Sequence, residues 1–209
     1  MTTTVQYVPH SVTTRTQNGT GIARRDLDII CSLVPEGASV LDLGCGDGGL
    51  LVRLMAEKRA LARGIEISDL QVRTCIARGL TVRHGNLDEG LADYPDDSFD
   101  VVILSNTLPY LDQPRRVLLE MLRVGRSGIA SFANMGYYRN RIAASLGRGI
   151  RGCELADGPR ARPISLQAFR AFCGDLGLRV VRESHSAPLL PDLLADFGIF
   201  VVGRGTREE

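Results

Sequence analysis

Tryptophan is absent from the 209 residues, aromatic side chains make up only 5%, and Lys58 is the one lysine among 25 basic residues. Aromatics this sparse supply no stacking surface for nucleic acid. Net charge is nearly absent too: 25 basic against 24 acidic residues leave +1, which implies no polyanionic partner. No apolar run approaches the roughly 20 residues of a membrane span, the longest stretch free of polar side chains being 197–203. The five cysteines (Cys31, Cys45, Cys75, Cys153, Cys173) include no C-x-x-C pair, which fits a reduced, cytoplasmic setting better than a disulfide framework. His10, His84 and His185 are too scattered for ligand spacing, so no metal site is expected. Residues 1–20 are Thr-rich, without the apolar segment of a secretion signal, and 1–22 read as a flexible arm.

What remains is a globular composition, 44% hydrophobic and 23% charged, over a length that suits one domain at 23–209. Leu27, Ile30, Cys31 and Val34 mark one helical face in 24–34, ended by Pro35 and Gly37. A short strand at 39–43 runs into a Gly-rich turn. A helix at 49–57 follows, with Leu50, Leu51, Leu54 and Met55 inward, then a strand at 62–67. Ser68 can cap the next helix, whose face is Leu70, Val72, Cys75 and Ile76 and whose stop is Gly79. Strands at 80–84, 99–104 and 128–132, a helix from Pro114 through Leu122 closed by Gly125, and a helix capped by Ser165 continue the alternation. Two strands, 178–183 and 198–203, close the chain. Strands alternating with helices predict an α/β fold, a mostly parallel seven-stranded sheet with helices on both faces and an antiparallel edge strand from the closing pair.

The strongest chemical signal is Val40-Leu41-Asp42-Leu43-Gly44-Cys45-Gly46-Asp47-Gly48-Gly49, at the first strand-to-helix turn. Open α/β sheets bind ligands there, and glycines let a ligand lie against bare backbone. Gly44, Gly46 and Gly49 satisfy the G-x-G-x-x-G spacing of dinucleotide sites. Glu66 closes the second strand, where a carboxylate can accept from both ribose hydroxyls. Asp42 two residues before the first glycine, and the Asp96-Asp97-Ser98 lead into 99–104 with Ser105 and Asn106 at its end, resemble motifs of class I methyltransferases; with the closing strand pair, that resemblance favours S-adenosylmethionine (SAM) over NAD.

The stretches GNLDEGLADYPDDSFDVVILSNTL (85–108) and EMLRVGRSGIASFANMGYYRNR (120–141) resemble the methionine-biosynthesis MetW family of the class I methyltransferase superfamily. The resemblance implies a Rossmann-like class I methyltransferase fold, a pocket for SAM or S-adenosylhomocysteine, and association with homoserine O-acetyltransferase. Carried over by position, Asp42, Gly44, Cys45 and Gly46 line the methionine moiety, and Glu66 and Ile67 the ribose side. Asn86 and Leu87 meet the adenine edge, and Ser105 lies at the pocket floor. Asn86 stands where such pockets usually have Asp. The alternative function is methyl transfer to a small-molecule acceptor under a cap at 135–165, although no catalytic base can be named. Tyr137, Tyr138, Arg139 and Arg141 are the candidates for contact with an acceptor or partner. They open a stretch, 139–162, in which six arginines face Glu154 and Asp157.

Overall fold

The protein was described as a computed structural model over residues 25–147, 161–187 and 189–205. The expected arm, Cys153, and Arg148, Arg151 and Arg160 of the cap lie outside the described residues.

Seven strands form one sheet in the order β3-β2-β1-β4-β5-β7-β6. They are β1 (Ser39–Leu43), β2 (Leu61–Glu66), β3 (Thr81–His84), β4 (Phe99–Ser105), β5 (Gly125–Ala133), β6 (Leu178–His185) and β7 (Phe197–Arg204). Pairings from β3 through β5 are parallel, whereas β7 runs antiparallel to both neighbours. The expected antiparallel strand is therefore β7, one in from the edge, and β6 outside it shares the direction of β5. The helices are α1 (Arg25–Leu33), α2 (Gly49–Lys58), α3 (Asp69–Ala77), α4 (Pro114–Val124), α5 (Tyr138–Ser145), α6 (Leu166–Asp175) and α7 (Pro191–Leu194).

Strand side chains alternate between two apolar layers, as a period of two requires. Val40, Val101, Ile103, Ile129 and Ile199 meet α1, α2 and α3 on one face. Leu41, Val102, Leu104, Ala130 and Phe200 meet α4 and α6 on the other. Phe132, Phe169 and Phe200 pack together there, with ring centroids 4.7–5.6 Å apart.

Several expectations needed correction. Met55 is exposed, although Leu50, Leu51 and Leu54 are buried. It sits about 100° round the helix from Leu54, outside the stripe that the sheet covers. Leu70 and Ile76 on α3 are exposed as well, leaving Val72 and Cys75 as its buried face. That helix links β2 to the edge strand β3, beyond which no further element among the described residues covers its outer side. Ser68 occupies the start of α3 without a side-chain capping bond. Strand β5 begins at Gly125 rather than 128, because Gly125 and Ser127 pair with Phe99 and Val101. Helix α5 occupies a stretch expected to be irregular and Arg-rich, and it buries none of its residues.

Candidate active site

The carboxyl ends of β1, β2, β3 and β4 lie side by side, and these strand ends and the loops leaving them hold every expected cofactor residue. Asp42, on β1, is 1% exposed. The chain then turns through Gly44 (φ +79°) and Gly46 (φ +56°), left-handed values that favour glycine. A Cβ on Gly44 would lie 2.5 Å from Thr107 Oγ1, so the loop leaving β4 rests against the glycine backbone. Around Gly46 nothing lies within 4 Å of where a Cβ would stand. Bare backbone facing open space is what a ligand group laid on the loop requires.

Glu66 locks this loop to the end of β2. Its Oε2 accepts from Gly46 N at 2.8 Å, and its Oε1 accepts from Ile67 N at 3.0 Å and Ser68 N at 2.9 Å. The carboxylate is 8% exposed. Two amide donors use both lone pairs of Oε1, whereas Oε2 keeps one for a hydroxyl. Behind the loop, Gly44 N and Cys45 N both donate to Ile65 O, at 2.8 and 3.1 Å. Cys45 is buried beside Cys75, whose thiol lies 3.2 Å from Gly46 O. Burial is the main cause that pushes both thiols up, so they stay protonated and pack the underside of the loop.

In the loop leaving β3, Asn86 Oδ1 accepts from Asp88 N at 3.0 Å and caps the short 3-10 turn Leu87–Glu89. Leu87 is buried, whereas Ile67 is exposed at the mouth. Asp88 was not singled out from sequence. Its carboxylate accepts from Asp112 N (3.1 Å) and Gln113 N (2.7 Å), joining this loop to the start of α4. Only the fold brings these residues together. Ser105 ends β4 opposite Ser131, whose hydroxyl donates to Ser105 Oγ at 3.2 Å. Asn106 follows with φ +55° and is bonded through Nδ2 to Asp26 Oδ2 at 3.2 Å.

Tyr137, Tyr138, Arg139 and Arg141 leave the end of β5 on the same edge of the sheet. Their described bonds run to the cap rather than to the glycine loop. Arg141 Nε donates to Gly136 O at 2.7 Å, and the two tyrosine rings meet edge to face at 4.8 Å. Partial desolvation, then the Tyr138 hydroxyl, raises the Tyr137 phenol, which makes it no base at neutral pH. Buried Asn134 holds the turn: Nδ2 donates to Ala195 O at 2.8 Å and Oδ1 accepts from Gly136 N at 2.9 Å. The described histidines make no bond to the glycine loop: His84 is bonded to Ile67 O, and His185, at the end of β6, to Ala187 O. A concavity of about 840 Å³ between α4 and Phe172 contains none of the candidate residues. Among the described residues no cluster fit to hold a metal occurs, and no helix is long and apolar enough to cross a membrane.

Comparison with known proteins adds family and fold. The family model described as methionine biosynthesis protein MetW matches residues 24–189. The bifunctional methionine biosynthesis protein MetXA/MetW of Rhodopirellula baltica is 38% identical over 124 residues, covering 56% of this chain and 20% of that protein. Ajmaline N-methyltransferase of Rauvolfia serpentina is 35% identical over 98 residues, 43% of this chain and 33% of that enzyme. The chain thus spans a third or less of the length of these relatives. Among solved structures, a SAM-dependent methyltransferase from Archaeoglobus fulgidus superposes with a TM-score of 0.66 at 16% identity, over 85% of this chain and 91% of that one. A chain of the complex between the Haloferax volcanii Trm112 methyltransferase activator and a methyltransferase gives 0.65 at 21% identity, over 85% and 88%. At these identities the superpositions speak for the fold.

Proposed function

This chain belongs to the MetW family, and from that premise we propose that it binds SAM or S-adenosylhomocysteine and acts as a partner and regulator of homoserine O-acetyltransferase in methionine biosynthesis. The observation that carries the ligand reading is the loop at Gly44–Gly46, held open by Glu66 and facing free space. Glu66 Oε2 would receive a ribose hydroxyl and Asn86 and Leu87 the adenine edge. Asp42, Gly44, Cys45 and Gly46 would flank the methionine moiety, with Ser105 at the floor. The partner reading draws on the Rhodopirellula protein, which carries MetXA and MetW parts in one polypeptide. We further assign 23–209 as one functional unit and the cytoplasm as its location.

A second reading, methyl transfer to a small molecule, is favoured by the N-methyltransferase relative. Bound SAM would supply an electrophilic methyl group. Ser105, Asn106 and Thr107 would then orient an acceptor in line, with Tyr137 and Tyr138 walling it off from water. None of these is a base at neutral pH, so this chemistry suits an acceptor already nucleophilic there. Calorimetry with SAM, S-adenosylhomocysteine and NAD, followed by co-purification with the acetyltransferase of the same organism, separates the readings. Binding of SAM without NAD, and recovery of the acetyltransferase, are expected. NAD binding alone, or methyl turnover with no acetyltransferase contact, would overturn the first reading.

A further inference from the structure

We propose that the exposed apolar face formed by α5 and the 189–194 segment is the docking surface for the acetyltransferase, an inference that rests on the partner reading above. Helix α5 contributes nothing to the interior. Tyr138, Ile142 and Leu146 recur every four residues and share one stripe, on which Ile142 is 54% and Leu146 63% exposed. An eight-residue helix does not hold itself in water, and the bonds from Asn140 to Asn134 O and from Arg141 to Gly136 O secure only its start. On the other side of Asn134, Leu189 and Leu190 are 74% and 68% exposed, and Leu194 is exposed beside them. Leu190 also holds φ +45°, a conformation that a leucine adopts only at a cost. Its carbonyl accepts from Leu193 N and Leu194 N, both at 2.9 Å, so this conformation opens α7 and leaves the leucine side chain exposed. Apolar side chains gathered around one turn and left uncovered mark an interaction site.

Charge narrows the occupant. Arg139 and Arg141 are exposed on α5, and no acidic residue lies within Tyr138–Ser145. Asp192, the acidic residue of the 189–194 side, is already paired with Arg170, so the fitting partner has an apolar centre and carboxylates where it meets α5. A second copy meeting α5 about a two-fold axis would bring Arg139 and Arg141 of both copies together, so self-association is disfavoured. The fused MetXA/MetW relative holds one copy of each part together, which selects the acetyltransferase.

The test is binding of the purified chain to its own organism's acetyltransferase, followed by interferometry and by sedimentation. Ile142→Glu and Leu190→Gly should each weaken binding at least tenfold while leaving the thermal shift with S-adenosylhomocysteine unchanged. Glycine accommodates the φ at position 190, so misfolding cannot account for a loss in that variant. Leu61→Glu, an equally exposed apolar site at the start of β2, should stay within threefold. Wild-type binding that all three variants retain overturns this surface and leaves the partner reading standing. Failure of the wild type to bind overturns both. A dimer of the chain that Ile142→Glu dissolves assigns the face to a second copy and overturns the proposal.

Discussion

The amides of Gly46, Ile67 and Ser68 all converge on Glu66, so this carboxylate shapes the loop before any ligand arrives. Substituting it removes the lock and, in the proposed reading, a ribose acceptor with it. Glu66→Ala should weaken S-adenosylhomocysteine binding by roughly ten- to a hundredfold, since charge-assisted bonds are worth about 1.5–3 kcal/mol. Calorimetry that finds unchanged affinity would place the ribose elsewhere. Gly44 offers a second test at the same scale. Its left-handed φ and the 2.5 Å approach of Thr107 Oγ1 both oppose a Cβ. Gly44→Ala should cost about 1–3 kcal/mol. In a double-mutant cycle, Thr107→Ala should recover only the contact part of that loss, because the backbone part persists. Full recovery in urea titrations would mean that φ contributes nothing.

At the scale of elements, caps and partners decide where helices begin. Ser165 accepts from Ala168 N at 3.1 Å and starts α6 as its sequence announces. Ser165→Ala should lower stability by about 1 kcal/mol, read by chemical denaturation, with Ser165→Asp retaining most of it. Equal stability of the alanine variant would show the cap to be idle. Helix α4 starts differently, on the distant Asp88 carboxylate, and no residue beside Pro114 foretells it. Helix α5 was missed because its one apolar stripe, Tyr138, Ile142 and Leu146, is thin and set among arginines, and none of it is buried.

For the whole molecule, the acid limb of stability follows from two bonded carboxylates. The Ser39 amide and hydroxyl bonds hold Asp100 below the usual range, and Arg123 does the same for Glu120. Their folded-state values lie below the unfolded ones of about 3.9 and 4.3. The unfolded chain therefore takes up protons first on acidification. Their contribution is complete above the unfolded values and is lost as pH falls through the folded ones. Urea titrations should show stability unchanged by these groups from pH 7 to about 5 and falling below about pH 4. Asp100→Asn should make that fall shallower. An identical acid limb in the variant would remove Asp100 from the account.

The sequence by itself determined what depends on near neighbours: the β-α alternation, the glycine turn after β1, Glu66 at the end of β2 and the cap at Ser165. Each is written in a period or a motif a few residues long. Tertiary structure alone decided which apolar side chains were covered, leaving Met55, Leu70 and Ile76 outside. It also decided the insertion of β7 between β5 and β6, the early start of β5, and the meeting of Thr107 with Gly44 and of Asp88 with α4. These depend on partners many residues away, and a hydrogen bond or contact between distant segments leaves no local periodicity to read.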